Sequence, residues 1–284
     1  DDEVVSMLRF GNGAIGSLRY ETTDDPANYG MLVDGANNWI ARDDVQVYYN
    51  RNDLTQGSNI KKGPLLPEFG VDDARIGPEM GFGWTIGDSY DEPVLIIKTC
   101  WGGKSLYADF RSPGAVAKRG GEVGNYYLGL IDYVHAVLDN LSTEFPQFAG
   151  QGYQIAGVAW HQGWNDGGNE FTASSYQENL ADFIRDIRAE LGNPTLPFAV
   201  ANTGISGASA SGNRLIMLEG QLAVANPVLY PEFNGNVSAA DTRPFWREAN
   251  VSPQNQGFHW NQNGETQYLI GKSLGEGMKT LLGK

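Results

Sequence analysis

The sequence predicts an α/β fold, a doubly wound and mostly parallel sheet, and three observations predict it. Short apolar runs at 94–97, 155–160 and 198–201 are bounded by turn residues. Such unbroken runs, without polar alternation, belong to strands buried on both faces, as in a parallel sheet. Helical periodicities alternate with these runs through most of the chain, the pattern of strand–helix–strand units. With neither an internal repeat nor a convincing linker, residues 1–284 read as a single domain.

Taken in order, residues 4–10 look like the middle of a strand, because Val4, Ser6, Leu8 and Phe10 share a face. Residues 45–48 read as a more exposed strand. The stretch 50–75 is rich in Gly, Pro, Asp and Asn, and reads as an insertion loop over one face that either shapes a cleft or is a passive excursion. Tyr127, Ile131, Val134, Leu138 and Leu141 line one side of a helix, which makes the neighbouring His135 a structural residue. The next helix is expected over 175–191, with Ser175 and Glu178 as a capping box. Leu180, Phe183, Ile184, Ile187 and Leu191 would be its apolar stripe, and Gly192 its stop. Leu215, Leu218, Leu222 and Ala225 mark another helix, residues 237–240 a last short strand. Residues 268–282 are the final helix, with Leu274, Met278 and Leu281 on its buried side.

The formal net charge of −14 repels nucleic acid and anionic membrane, so neither is expected as a partner. A neutral sugar or small ester fits better. A single cysteine, Cys100, excludes an intramolecular disulfide and reads as a buried small hydrophobe. No metal-ligand cluster pattern is present, so no metal site is expected. No apolar run approaches the roughly 18 residues of a membrane span. The chain begins with Asp1, which suggests either a processed form, secreted or periplasmic, or the loss of preceding residues.

Ligands of open α/β sheets bind at the carboxyl ends of the strands, and three segments carry chemistry there. After 94–97 comes Trp101-Gly102-Gly103-Lys104, whose paired glycines would let backbone amides approach a developing oxyanion. After 155–160 comes His161-Gln162-Gly163-Trp164-Asn165-Asp166, the densest polar strand end in the chain. Gln162 or Asn165 could donate to an oxyanion, and the rings of Trp160 and Trp164 could stack on a sugar. The third is His259, one of three histidines, in a Gly/Asn-rich loop immediately before the last helix, a suitable place for a general base.

These blocks resemble something known. Trp101-Gly102-Gly103-Lys104-Ser105-Leu106, Trp160-His161-Gln162-Gly163-Trp164-Asn165-Asp166 and Gly257-Phe258-His259-Trp260-Asn261 look like the blocks of the SGNH hydrolases, in their sialate O-acetylesterase and acetylxylan esterase-like branch. The likeness runs over roughly 13–282 and includes Ile76 to Gly83, Asn202 to Gly207, and Glu265 to Gly271. It implies a flavodoxin-like sheet and cofactor-free ester hydrolysis, typically of O-acetyl groups on carbohydrates. In that branch a serine attacks the ester, and His takes its proton and passes it to the leaving alcohol. Carried over, His259 is the base, Gly102 or Gly103 the amide donor and Gln162 the oxyanion side chain. Trp101, Trp160, Trp164, Asn165 and Asp166 are the expected substrate contacts.

Two departures stand out. The branch carries its serine in a Gly-Gln-Ser-Asn motif directly after the first strand, and this sequence has none. The acid often found three residues before the base is Gln256. Ser6 is the nearest substitute nucleophile, but a mid-strand position is unlike the sharp exposed turn a nucleophile needs. Ser105 and Ser206 match other positions of the branch. The first strand of this fold is central, so it is missing or replaced: residues 4–10 fill the gap, or an edge pairs with a second chain in a homodimer, or the sheet is rearranged. The first option is favoured. The function expected is an esterase or lactonase acting on a small ester or acetylated carbohydrate. Its competitor is a catalytically impaired relative that binds the same ligand.

Overall fold

A computed structural model describes residues 3–9, 13–54 and 56–284. Among the described residues nine strands form: β1 (Glu3–Arg9), β2 (Gly13–Ala14), β3 (Arg42–Asn50), β4 (Ile60–Leu65), β5 (Arg75–Ile76), β6 (Val94–Lys98), β7 (Tyr153–Trp160), β8 (Phe198–Ala201) and β9 (Val237–Ala240). Seven of them make one sheet in the order β4-β3-β6-β1-β7-β8-β9, and β2 pairs antiparallel with β5. All neighbours in the large sheet are parallel except β3 and β4. The five strands β6-β1-β7-β8-β9 follow the flavodoxin-like order. β3 and β4 extend that core beyond β6.

The central place is filled. Glu3–Arg9 pairs along its length with β6 on one side and β7 on the other, Ser6 lying opposite Ile96 and Gly157. Parallel pairing on both sides gives the backbone donors and acceptors of the sheet centre their partners. Phe10, and the side chains of Val4, Ser6 and Leu8, lie outside the described residues.

The helices are α1 (Ile15–Asp24), α2 (Pro26–Tyr29), α3 (Glu79–Gly87), α4 (Pro113–Arg119), α5 (Asn125–Asp139), α6 (Leu141–Glu144), α7 (Glu170–Glu190), α8 (Gly212–Ala223) and α9 (Gly264–Leu282). They cover both faces of the sheet and divide the core in two. One apolar layer contains Leu130, Ile131, Val134, Phe183, Ile184 and Ile187 from α5 and α7. The other contains Met80, Phe82, Ile86, Ile270, Leu274 and Met278 from α3 and α9. α3 and α9 cross closely because glycine stands where they meet. A Cβ on Gly271 would fall 1.8 Å from the Pro78 carbonyl oxygen, and one on Gly81 2.0 Å from that of Tyr268.

Several expectations need correction. Residues 45–48 are buried rather than exposed, since β3 is an inner strand paired on both edges. The helix expected at Ser175 starts at Glu170. Asn169 caps it by accepting from the Thr172 amide (3.0 Å), leaving Ser175 inside the helix to bond the Thr172 carbonyl. Gly192 does close that helix, at φ +67°. The 50–75 stretch contributes the edge strand β4. His135 is exposed on α5 and has no role in the core. Cys100 is half-buried rather than buried.

Candidate active site

A cavity of ≈ 620 Å³ opens at the carboxyl edge of the sheet, where β6 and β7 deliver their loops. It gathers Trp101, Gly102, Gly103, Gln162, Trp164, Asn165 and His259 from three distant parts of the chain. The loop after β6 turns at Gly103, whose φ of +70° favours glycine. Gly102 and Gly103 are exposed, nothing lies within 4 Å of where their Cβ atoms would be, and their N–H groups have no backbone acceptor among the described residues. Two adjacent open amides on a tight turn are the geometry an oxyanion needs.

After β7 the chain is held more firmly. Gln162 Nε2 donates to Asp166 Oδ2 (2.7 Å) and to the Lys104 carbonyl (3.1 Å), while Tyr176 Oη donates to Gln162 Oε1 (2.8 Å). Both amide hydrogens point at acceptor-only atoms, so this side chain is spent on bracing the loop. Asp166 is fully buried and also accepts the amides of Leu106 (2.9 Å) and Tyr107 (2.8 Å). Gln162 and Asp166 thus bind the β7 loop to the Gly102–Gly103 loop. Gly163, at φ +155°, leaves room for the Gln221 amide, which clips the Gln162 carbonyl to the Thr203 amide.

Trp160 belongs to the core: it is 1% exposed, packs on Phe183 and donates from Nε1 to Tyr176 Oη (3.1 Å). Neither Trp160 nor Asp166 lines the cavity, unlike the substrate contacts expected of them. Trp164 does, with Arg214 stacked 3.7 Å from its ring centroid and Phe258 at 5.8 Å. Asn165 is exposed, and its side chain caps nothing in the turn that follows.

His259 is held by an unusual loop. Trp260, Asn261 and Gln262 all have positive φ, at 51°, 54° and 55°. Each costs a non-glycine residue about 1–2 kcal/mol. Side-chain bonds hold the loop in this state: Asn261 accepts from the Gln256 amide (2.9 Å) and donates to the Arg247 carbonyl (2.9 Å), and Trp260 Nε1 donates to the Thr203 carbonyl (2.6 Å). The imidazole lies against Phe258, with ring centroids 4.5 Å apart. Burial, and then the positive charge of Arg75, hold its pKa below the ordinary histidine value. Gln256 gives it no carboxylate, and its Oε1 instead accepts from Gln262 (2.8 Å).

The insertion supplies wall residues that the motif reading missed, namely Arg51, Asp53, Val71 and Arg75. Arg51 and Asp53 directly follow β3, so the rule of strand carboxyl ends applied to that strand would have found them. Lys104 Nζ lies 3.4 Å from Asp53 Oδ2, which also accepts from Tyr126 Oη (2.5 Å). Asp109 braces its own loop through Ser105, and Arg111 bonds the Gly120 and Tyr107 carbonyls. Ser6 stands in the middle of β1, three residues short of its carboxyl end. Among the described residues no cluster of three or more His, Cys, Asp or Glu could hold a metal ion. No helix among them is long and apolar enough to cross a membrane.

The fold is shared with known structures. A protein from Arabidopsis thaliana superposes with a TM-score of 0.58 at 15% identity, over 98% of each chain. A carbohydrate acetylesterase from Xanthomonas citri gives 0.59 at 14% identity, over 100% of this chain and 57% of that one. No curated protein sequence matches significantly. Residues 24–230, well over half the chain, match the family model described as carbohydrate esterase, sialic acid-specific acetylesterase. The chain therefore belongs to the sialic acid-specific acetylesterase family of carbohydrate esterases.

Proposed function

We propose that the protein is a carboxylic ester hydrolase of the acetylesterase type, taking O-acetyl groups from small acetylated carbohydrates without a cofactor. The observation that carries this reading is the convergence of His259 with the open amides of Gly102 and Gly103 on one cavity. Asn165 is the side-chain donor free to join them, since the amide of Gln162 is engaged elsewhere. Trp164 and Phe258 offer apolar rings to a sugar face.

Residues 10–13 read Phe-Gly-Asn-Gly, so the segment directly after β1 brings neither a hydroxyl nor a thiol. In this reading water is the nucleophile. His259 removes a proton from water as its oxygen bonds to the ester carbonyl carbon, and the carbonyl oxygen becomes an oxyanion on the Gly102 and Gly103 amides. Collapse breaks the carbon–alkoxy bond, and His259 returns the proton to the leaving alcohol, giving acetic acid and the free hydroxyl. Without a covalent intermediate this route is slow.

p-Nitrophenyl acetate tests the reading with wild type, His259→Ala and Ser6→Ala. Weak turnover abolished by His259→Ala and retained by Ser6→Ala is expected. Turnover surviving His259→Ala removes the base from the scheme. Brisk turnover lost only in Ser6→Ala, or stoichiometric fluorophosphonate labelling, makes a serine the nucleophile instead. A second reading, that the cavity only binds an acetylated sugar, is favoured by the lack of a carboxylate to orient His259. Ligand binding with no turnover above buffer would establish it.

A further inference from the structure

A second cavity, of ≈ 470 Å³, lies beside the first and is lined by Tyr107, Arg111, Glu122, Asn125 and Tyr126 among others. The two share a wall. Tyr126, in the second cavity, bonds through Oη to Asp53 in the first (2.5 Å), and Lys104 of the first lies 4.1 Å from the Tyr126 ring centroid. The wall is thus one tyrosine thick.

We propose that this second cavity is a sugar subsite, taking the residue next to the acetylated one in an oligosaccharide whose acetyl group lies in the first cavity. The inference rests on the reading of the first cavity as a carbohydrate ester site. The wall of the second cavity carries the rings of Tyr107 and Tyr126. Tyr107 is continued outward by Phe171, which is 67% exposed at the start of α7 and meets Tyr107 edge-on, with centroids 5.3 Å apart, a platform of the kind sugars stack on. Its interior supplies hydroxyl partners. Glu122 and Asn125 are exposed side chains facing the same space, one an acceptor and the other both donor and acceptor. Arg111 gives the floor rigidity, since its Nε and Nη2 bond the Gly120 carbonyl (3.0 and 2.8 Å) and its Nη1 the Tyr107 carbonyl (3.0 Å). Gly120 and Gly121, at φ +71° and +88°, fold the chain back to close the far side. A rigid pocket with the rings of Tyr107 and Tyr126 in its wall and the exposed polar groups of Glu122 and Asn125 fits a neutral pyranose or furanose ring.

Calorimetric titration of the intact chain with xylotetraose, cellotetraose, mannotetraose and chitotetraose, each against its own monosaccharide, tests the subsite. At least one tetrasaccharide is expected to bind about tenfold more tightly than its monosaccharide. Phe171→Ala and the pair Glu122→Gln/Asn125→Ala are each expected to erase about fivefold or more of that advantage. Phe171 is exposed, so an unchanged melting temperature certifies the fold of the variant. Equal affinities for every tetrasaccharide and monosaccharide pair, or an advantage untouched by both variants, overturns the proposal. The titration needs no turnover. Failure to hydrolyse p-nitrophenyl acetate therefore counts only against the hydrolase reading, and loss of the tetrasaccharide advantage only against the subsite.

Discussion

Arg75 and His259 face the same cavity, and the arginine's charge helps hold the imidazole below its ordinary pKa. A base must be neutral to accept a proton, so a depressed pKa keeps it competent further into acid, and rate is lost as pH falls through that depressed value. Arg75→Gln removes a positive charge, which raises the pKa of His259. The acid limb of kcat/KM is therefore expected to move to higher pH in this variant. A limb that stays in place means that another group sets it. Asp166 offers a second test at this scale. Its carboxylate is fully buried and serves Gln162 Nε2 and two backbone amides. Asp166→Ala strands those donors, and at about 1–3 kcal/mol for each unsatisfied buried group a loss of at least 3 kcal/mol is expected in urea denaturation. A loss under about 1 kcal/mol contradicts the bracing role given to Gln162 and Asp166.

At the scale of elements, the position of His259 depends on how α9 seats against α3, because the His259 loop runs directly into α9. Gly271 meets the Pro78 carbonyl so closely that a methyl group has no place, and the neighbour is backbone, which cannot swing aside. Gly271→Ala is expected to destabilise by 2 kcal/mol or more, at the upper end of overpacking costs of about 1–3 kcal/mol. Tm and kcat/KM should fall together, since the helix shifts and its leading loop shifts with it. A variant with wild-type Tm shows that α9 can move without cost. Strands 94–97, 155–160 and 198–201 were legible in the sequence because full burial writes itself as an unbroken apolar run. The start of α7 was not, because Ser175-x-x-Glu178 has the form of a capping box while Asn169 does the capping. The roles of Gln162 and Asp166 were hidden for a related reason. Residue type says what a side chain can bond, and only the neighbours say whether that bond is already made.

For the molecule as a whole, the filled centre of the sheet removes the missing strand as a reason for a second chain. With β1 seated between β6 and β7, the interior has no unpaired edge for a second copy to complete. The two outer edges are guarded in different ways. β4 carries Lys61, Lys62 and Pro64, and its lysines are engaged with Glu68, Asp73 and Glu144. Charge on an edge strand, and a proline without an N–H, both discourage further pairing. At the other end β9 is four residues long and packs with α8 and α9. The net charge of −14 adds repulsion between copies. Sedimentation at micromolar concentration and moderate salt is therefore expected to give a single-chain particle, with Lys61→Val/Lys62→Val the variant most prone to associate. Raising the salt tests the electrostatic share, because screening weakens repulsion between exposed charges beyond about 10 Å at 0.1 M. A stable wild-type dimer at low salt, where repulsion is strongest, overturns the single-chain expectation.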